Sequence, residues 1–138
     1  MTANQVKDKD SLRAFVLSAK EHLEKNYDQA VKDFRTKEKW KKGFIYLHGL
    51  TMDGTTLFHV ALPELEGKNL LNAQQIGNTI IKPLLSAGKK GEGFVEYTQD
   101  NPATEDADQS KKIGYVTTFK KDGVDYIVGS GFYLDSSK

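Results

Sequence analysis

Leu12, Phe15, Val16, Ala19, Leu23, Tyr27, Ala30, Val31 and Phe34 recur at intervals of three and four residues, which draws one apolar stripe along a helix. Asp10 or Ser11 is the expected N-cap, because a short oxygen side chain satisfies the first free backbone amides. Asn26 is a poor helix former that tolerates a turn, so the stripe reads as one long helix or as a long helix followed by a short one. Past the charged connector RTKEKWKKG the period drops to two. GFIYLHGL and TTLFHVAL are short β-prone runs on either side of TMDG, and Asp53-Gly54 marks a hairpin turn.

PELEGKN then reads as a polar loop and LLNAQQIGNTIIKPLLSAGKKG as a helical stretch. Gly77 weakens it, Pro83 kinks or restarts it, and the glycines of 88–93 end it. EGFVEYTQ is a third strand. The acidic, turn-rich DNPATEDADQS that follows is expected at the surface and mobile. SKKIGYVTTFKKDGVDYIVGSGFYLD supplies two more strands around a Lys-Asp-Gly turn. A strand pair and then a strand triplet, with helices before and between them, predict an α+β fold: an antiparallel sheet with helices on its faces. Such a sheet buries its apolar side under the helices and can leave the other side for a cavity.

With 138 residues, one domain is the default. Twenty basic against 19 acidic residues give a net charge of +1, which offers no electrostatic case for nucleic acid or an acidic membrane surface. Only Arg13 and Arg35 are arginines, so lysine, hydroxyl or backbone groups must do most of any anion binding. The absence of cysteine removes disulfides, thiolate nucleophiles and Cys-type zinc sites. No apolar run is long enough to cross a bilayer, and the first ten residues lack the hydrophobic segment of a signal peptide.

Strand alternation puts Phe44, Tyr46 and His48 on one face and groups Leu57, His59 and Ala61 on another. The two histidines converge on adjacent strands or lie at exposed hairpin ends; both readings stand at this level. Lys112 precedes a run of β-formers, and an inward ammonium must meet an anion or carry a large desolvation cost. The plainer reading is that Lys111 and Lys112 form a solvated strand entrance. Perfect alternation separates Lys112 from Tyr115, but a bulge at Gly114 would bring both inward.

Tyr97, Tyr115, Tyr126 and Tyr133 are core aromatics first, of which one or two could line a cavity. Gly129 and Gly131 leave room for a ligand or for a close helix. Trp40 closes a pocket mouth or simply covers core. Phosphate loops, zinc-protease motifs and nucleophile elbows are all missing, and the spacing of His22, His48 and His59 matches no metal pattern. Glu96 beside Tyr97 is the enzyme alternative, a general base in a concave sheet as in small cone-shaped isomerases.

Five motifs in order resemble a known family: WKKGFIY at 40–46, DGTTLFHVALPELEGKNL at 53–70, GEGFVEYT at 91–98, KIGYV at 112–116 and IVGSGFY at 127–133. They look like the extracytoplasmic sensor modules called single Cache domains. The resemblance implies a PAS-like fold over residues 1–138, with its core about 11–135: a long N-terminal helix behind a five-stranded antiparallel sheet, and a helical crossing between strands two and three. It implies a pocket on the sheet's other face for a small metabolite, with short carboxylates favoured, in signal transduction or chemotaxis. It also implies a periplasmic or extracellular location and, by analogy, dimerisation through the first helix.

No cofactor is called for. The expected ligand-binding residues are Tyr46, His59, Tyr97, Lys112 and Tyr115, with entry beside the 63–71 loop. A ligand-free interaction module remains the third reading; its sheet face would be filled by its own side chains.

Overall fold

Asp8, rather than Asp10 or Ser11, starts the first helix. In the computed structural model its carboxylate accepts the Ser11 amide at 2.8 Å while Ser11 Oγ accepts the Asp8 amide at 3.0 Å, a reciprocal cap that closes both ends of the first turn. The structure describes residues 2–43, 45–71, 80–100 and 109–133, without the side chains of 97–100, 109 and 110. The readings of Phe44, Gly77 and most of the acidic loop fall outside them.

Helix α1 spans Lys9–Lys25 and α2 spans Tyr27–Thr36. The break at Asn26 has a local cause, since its backbone amide ends α1 on His22 O and its side chain caps α2 by accepting the Gln29 amide. Strand β1 is His48–Leu50 and β2 is Thr56–His59. They pair antiparallel across a turn in which Gly54 takes φ +95°, a conformation that a side chain would strain.

Helix α3, Lys82–Lys89, carries Pro83 in its first turn, where a missing amide costs nothing. Strands β3 (Glu92–Asp100), β4 (Gln109–Lys121) and β5 (Val124–Tyr133) complete the sheet. Asp122 and Gly123 both take positive φ, 55° and 80°, which is the hairpin turn the Lys-Asp-Gly sequence predicts.

The sheet order is β2-β1-β5-β4-β3, so the last hairpin lies in the middle of the sheet. Its register assigns the faces. Ile113, Tyr115 and Phe119 of β4, with Phe58 and Val128, join Leu12, Phe15, Val16 and Phe34 of the helices in the main core. The intervening residues Val116 and Ile127 face the other way and pack with Leu50, Leu84 and Leu85 in a second cluster under α3. Gly88 permits that close approach, for a Cβ there would sit 2.4 Å from Ile127 Cδ1. The two apolar layers fix the sheet from both sides and leave the end of the second face, beside β1 and β2, for the site.

Candidate functional site

Between the sheet and residues 62–71 lies a cavity of about 220 Å³. Tyr46, His48 and Leu50 form its floor along β1 and its lead-in; Thr56 and His59 come from β2, and Lys112 reaches in from β4. Leu62, Leu65 and Leu70 cover it from the connecting segment, and Ile80, Ile81 and Leu84 close it from the α3 side.

Lys112 points inward by strand parity. It pairs with Tyr133 while Ile113 pairs with Phe132, so adjacent β4 side chains take opposite faces. The lysine is 3% exposed. Its Nζ donates to Tyr46 Oη at 3.4 Å and stands 4.8 and 5.0 Å from the ring centroids of Tyr46 and Tyr133. Two aromatic faces therefore bracket the ammonium, an arrangement that stabilises a cation away from bulk water.

The glycines of β5 make this geometry fit. A Cβ at Gly131 would stand 3.0 Å from Lys112 Cε, and one at Gly129 would stand 3.1 Å from His48 Cε1. Both positions give space to neighbouring site side chains.

Burial sets the charges. It pulls the Lys112 pKa down to about 8, which leaves the ammonium charged at neutral pH. His48 is held down to about 3 by burial, then by His59 and the Lys112 charge, and His59 is held down to about 4 by burial and Lys112. Both rings are neutral at pH 7. Tyr46 is pushed up to about 12 by burial and Tyr133, so it keeps its proton.

The Leu62 amide donates to His59 Nδ1 at 2.9 Å, which fixes the neutral tautomer with its proton on Nε2. The described lining thus offers an ammonium, a phenol and an imidazole N–H as donors. That set suits an anion.

Three of the five expected residues, Tyr46, His59 and Lys112, are brought together here. Tyr97 is the register partner of Lys112 on β3, and its side chain lies outside the described residues. Tyr115 is a correction. β4 pairs without a bulge from Glu92↔Thr117 to Asp100↔Gln109 and from Lys112↔Tyr133 to Lys121↔Val124, so Gly114 does not turn Tyr115 inward. Its ring lies 4.9 Å from Phe94 on the helix side, and its hydroxyl donates to Glu92.

Trp40 does not close the pocket. It is buried in the main core, with its centroid 4.9 Å from Phe34 and 5.4 Å from His22. Glu96 shares the helix-side face with Ile113 and pairs with Lys111 at 3.0 Å, on the side of the sheet opposite the cavity. His48, 9% exposed, is not at an open hairpin end, and Tyr133 holds the lysine from its other side. The sequence leaves both open between site and non-site roles, and register decides: His48 lies opposite Gly129 and Tyr133 opposite Lys112. Among the described residues no cluster of three or more His, Asp or Glu could hold a metal.

A family model described as Cache domain matches residues 6–138. The chain belongs to the Cache domain family. Three solved structures share this Cache domain's fold. A methyl-accepting chemotaxis protein from Vibrio parahaemolyticus RIMD 2210633 superposes with TM-score 0.71 at 22% identity, over 94% of this chain and 90% of its own. A Cache chemosensory domain, described in terms of its carboxylic acid recognition, gives 0.66 at 23% identity, covering 91% and 90%.

The periplasmic sensor domain of a chemotaxis protein gives 0.62 at 20% identity, again covering 91% and 90%. At these identities the likeness is one of fold. No curated protein matches. The α+β, PAS-like arrangement of the Cache domain is the one the resemblance implied, and the chain is a ligand-binding sensor domain of that kind.

Proposed function

We propose that this Cache domain senses a small organic acid outside the cytoplasmic membrane, held in the cavity with its carboxylate on Lys112. The observation that carries the reading is a charged, 3% exposed lysine at the wall of a 220 Å³ cavity beside a phenol donor. A carboxylate placed there accepts from Lys112 Nζ, Tyr46 Oη and His59 Nε2, and charge-assisted bonds of this type are the strong ones. A ligand-free module would have the end of this face plugged by its own side chains, and a cavity lies there instead. A cavity of 220 Å³ is many times what a single water needs, so it has room for a small metabolite.

The chemotaxis proteins of similar fold support the sensor role, one by its carboxylic acid recognition and one by its periplasmic location. Among the described residues no helix is long and apolar enough to cross a membrane. Signalling is a population shift: the acid favours whichever arrangement of residues 63–71 binds it better, and it moves the equilibrium only by that difference. In the same reading α1 carries the change to a second copy, which sedimentation with and without acid tests.

The primary experiment is a melting-temperature panel of acetate, propionate, lactate, pyruvate, dicarboxylates and amino acids. One-site binding at about 100 times Kd adds about 2.7 kcal/mol of stability. For a chain of this size that is a rise of about 10 °C. A flat panel, or a responding acid whose affinity survives Lys112→Ala, refutes the assignment.

A further inference from the structure

Lys112 meets the cavity as a nucleophile as well as a cation. Its stem is confined, since a Cβ at Gly131 would stand only 3.0 Å from Cε, and the Tyr46 and Tyr133 rings bracket Nζ at 4.8 and 5.0 Å. Burial lowers its pKa to about 8, so about a tenth of the amine is neutral at pH 7, roughly 300-fold more than for a lysine at its ordinary 10.5. The described lining around it holds donors and apolar side chains and no carboxylate. Tyr46 Oη stands 3.4 Å from Nζ, and the His59 ring, whose Nε2 carries its proton, lies 5.1 Å from that of Tyr46. An anionic group built on Nζ is therefore set among hydrogen-bond donors.

We propose that Lys112 is a carbon dioxide capture site: in the acid-free cavity its neutral amine adds to CO2 and forms a carbamate, held by the Tyr46 hydroxyl and His59 Nε2–H. The Nζ lone pair forms the new N–C bond, one C=O π pair moves onto oxygen, and a nitrogen proton leaves to water, so that R–NH2 + CO2 gives R–NH–COO− + H+. No other reactant is needed. CO2 is the fitting electrophile because it is uncharged and apolar, and it passes the cover of Leu62, Leu65 and Leu70 without the desolvation cost that an ion carries. The carbamate takes the place that the organic-acid reading gives to the ligand's carboxylate, and it removes the ammonium that would hold that carboxylate. CO2 and acid therefore exclude each other. Only this competition rests on the organic-acid reading; carbamate formation does not.

The test is carbon NMR of the full chain under isotope-labelled CO2 at pH 8, where about half of Lys112 is neutral, with the carbamate trapped as its ethyl ester and located by peptide mass spectrometry. One carbamate resonance is expected beyond that of the chain's α-amino group. Label on Lys112 should exceed that on exposed lysines such as Lys7 and Lys41 by about tenfold or more. Lys112→Arg keeps a cation without the amine, and the resonance should vanish. Tyr46→Phe removes a donor and should weaken CO2 capture about fivefold, which decides the matter if the arginine variant does not fold. Label on Lys112 no higher than on the exposed lysines, or a resonance that survives Lys112→Arg, overturns the proposal. Saturating amounts of the best acid should displace the label, and a carbamate untouched by bound acid overturns the shared place. If no acid binds while the Lys112 label remains, the organic-acid reading falls and the carbamate stands.

Discussion

Lys112 lies across Gly131. A methyl at Gly131 would stand 3.0 Å from Lys112 Cε and 2.7 Å from Ile113 O, and the second contact is with backbone that cannot swing away. Gly131→Ala is therefore expected to cost about 1–3 kcal/mol, the usual range for overpacking. The same change displaces the lysine stem. Urea denaturation should show the destabilisation, and calorimetry should show weaker binding of the best acid; an unaltered midpoint and affinity would mean that the glycine is incidental.

Removing the ammonium should have opposite effects on stability and binding. Holding a lysine at about 8 against its ordinary 10.5 costs about 3 kcal/mol at neutral pH. A depressed folded-state pKa gives stability that is complete above 10.5 and is lost as pH falls through about 8. Lys112→Met is therefore expected to be more stable than the parent at pH 7 without ligand, and the difference should shrink toward pH 10. Organic acids should bind it about 10- to 100-fold more weakly, as the loss of a charged hydrogen-bond partner predicts. Paired melts at pH 7 and pH 10 check the first half and titrations the second.

Most of the fold was legible because it rests on short-range chemistry. The apolar stripe of α1 and α2, the Asn26 break, and the Asp53-Gly54 and Asp122-Gly123 turns are all local, and each sits where its residues predict. The cap lies two or three residues before the expected Asp10 or Ser11, at Asp8, because all three offer oxygens and only reciprocity with Ser11 decides between them. The site was half legible. Parity alone separates Lys112 from Tyr115, and the supposed bulge at Gly114 hid that; the glycine instead continues an unbroken ladder opposite Gly131. The burial of His48 depends on its pairing with Gly129, a contact far apart in sequence that no periodicity encodes.

His48 and His59 predict an acid-sensitive fold. Their folded pKa values, about 3 and about 4, lie below the ordinary 6.5. The unfolded chain therefore takes up protons first as pH falls. Stability is complete above 6.5 and is lost as pH falls through about 4 for His59 and about 3 for His48, with up to about 2 kcal/mol gone per ring at pH 5. Protonating His59 also ends its acceptance of the Leu62 amide, since Nδ1 then carries a hydrogen. His59→Gln should flatten its share of the pH dependence between 6.5 and 5 in urea midpoints, and equal slopes in variant and parent would disprove this account. A bound carboxylate, opposite in charge, should raise both values, so acid affinity should strengthen as pH falls from 7 to 5.

Glu66 joins the cavity cover to the helices. Its Oε2 accepts the His59 backbone amide at 3.1 Å and pairs with Arg35 Nη2 of α2 at 2.8 Å. The pair is partly exposed, with side chains 35% and 26% accessible, so Glu66→Gln should cost no more than about 1 kcal/mol. Because Glu66 does not line the cavity, its loss should leave acid affinity within about threefold. The effect should appear in transmission. Hydrogen exchange across Tyr27–Thr36 is expected to slow when the best acid binds the parent, because ordering residues 62–71 steadies Glu66 against Arg35. In Glu66→Gln the acid should still bind while that protection disappears. Equal protection of α2 in both proteins would show that the change travels through the sheet instead, by way of β5 and the core beneath α1.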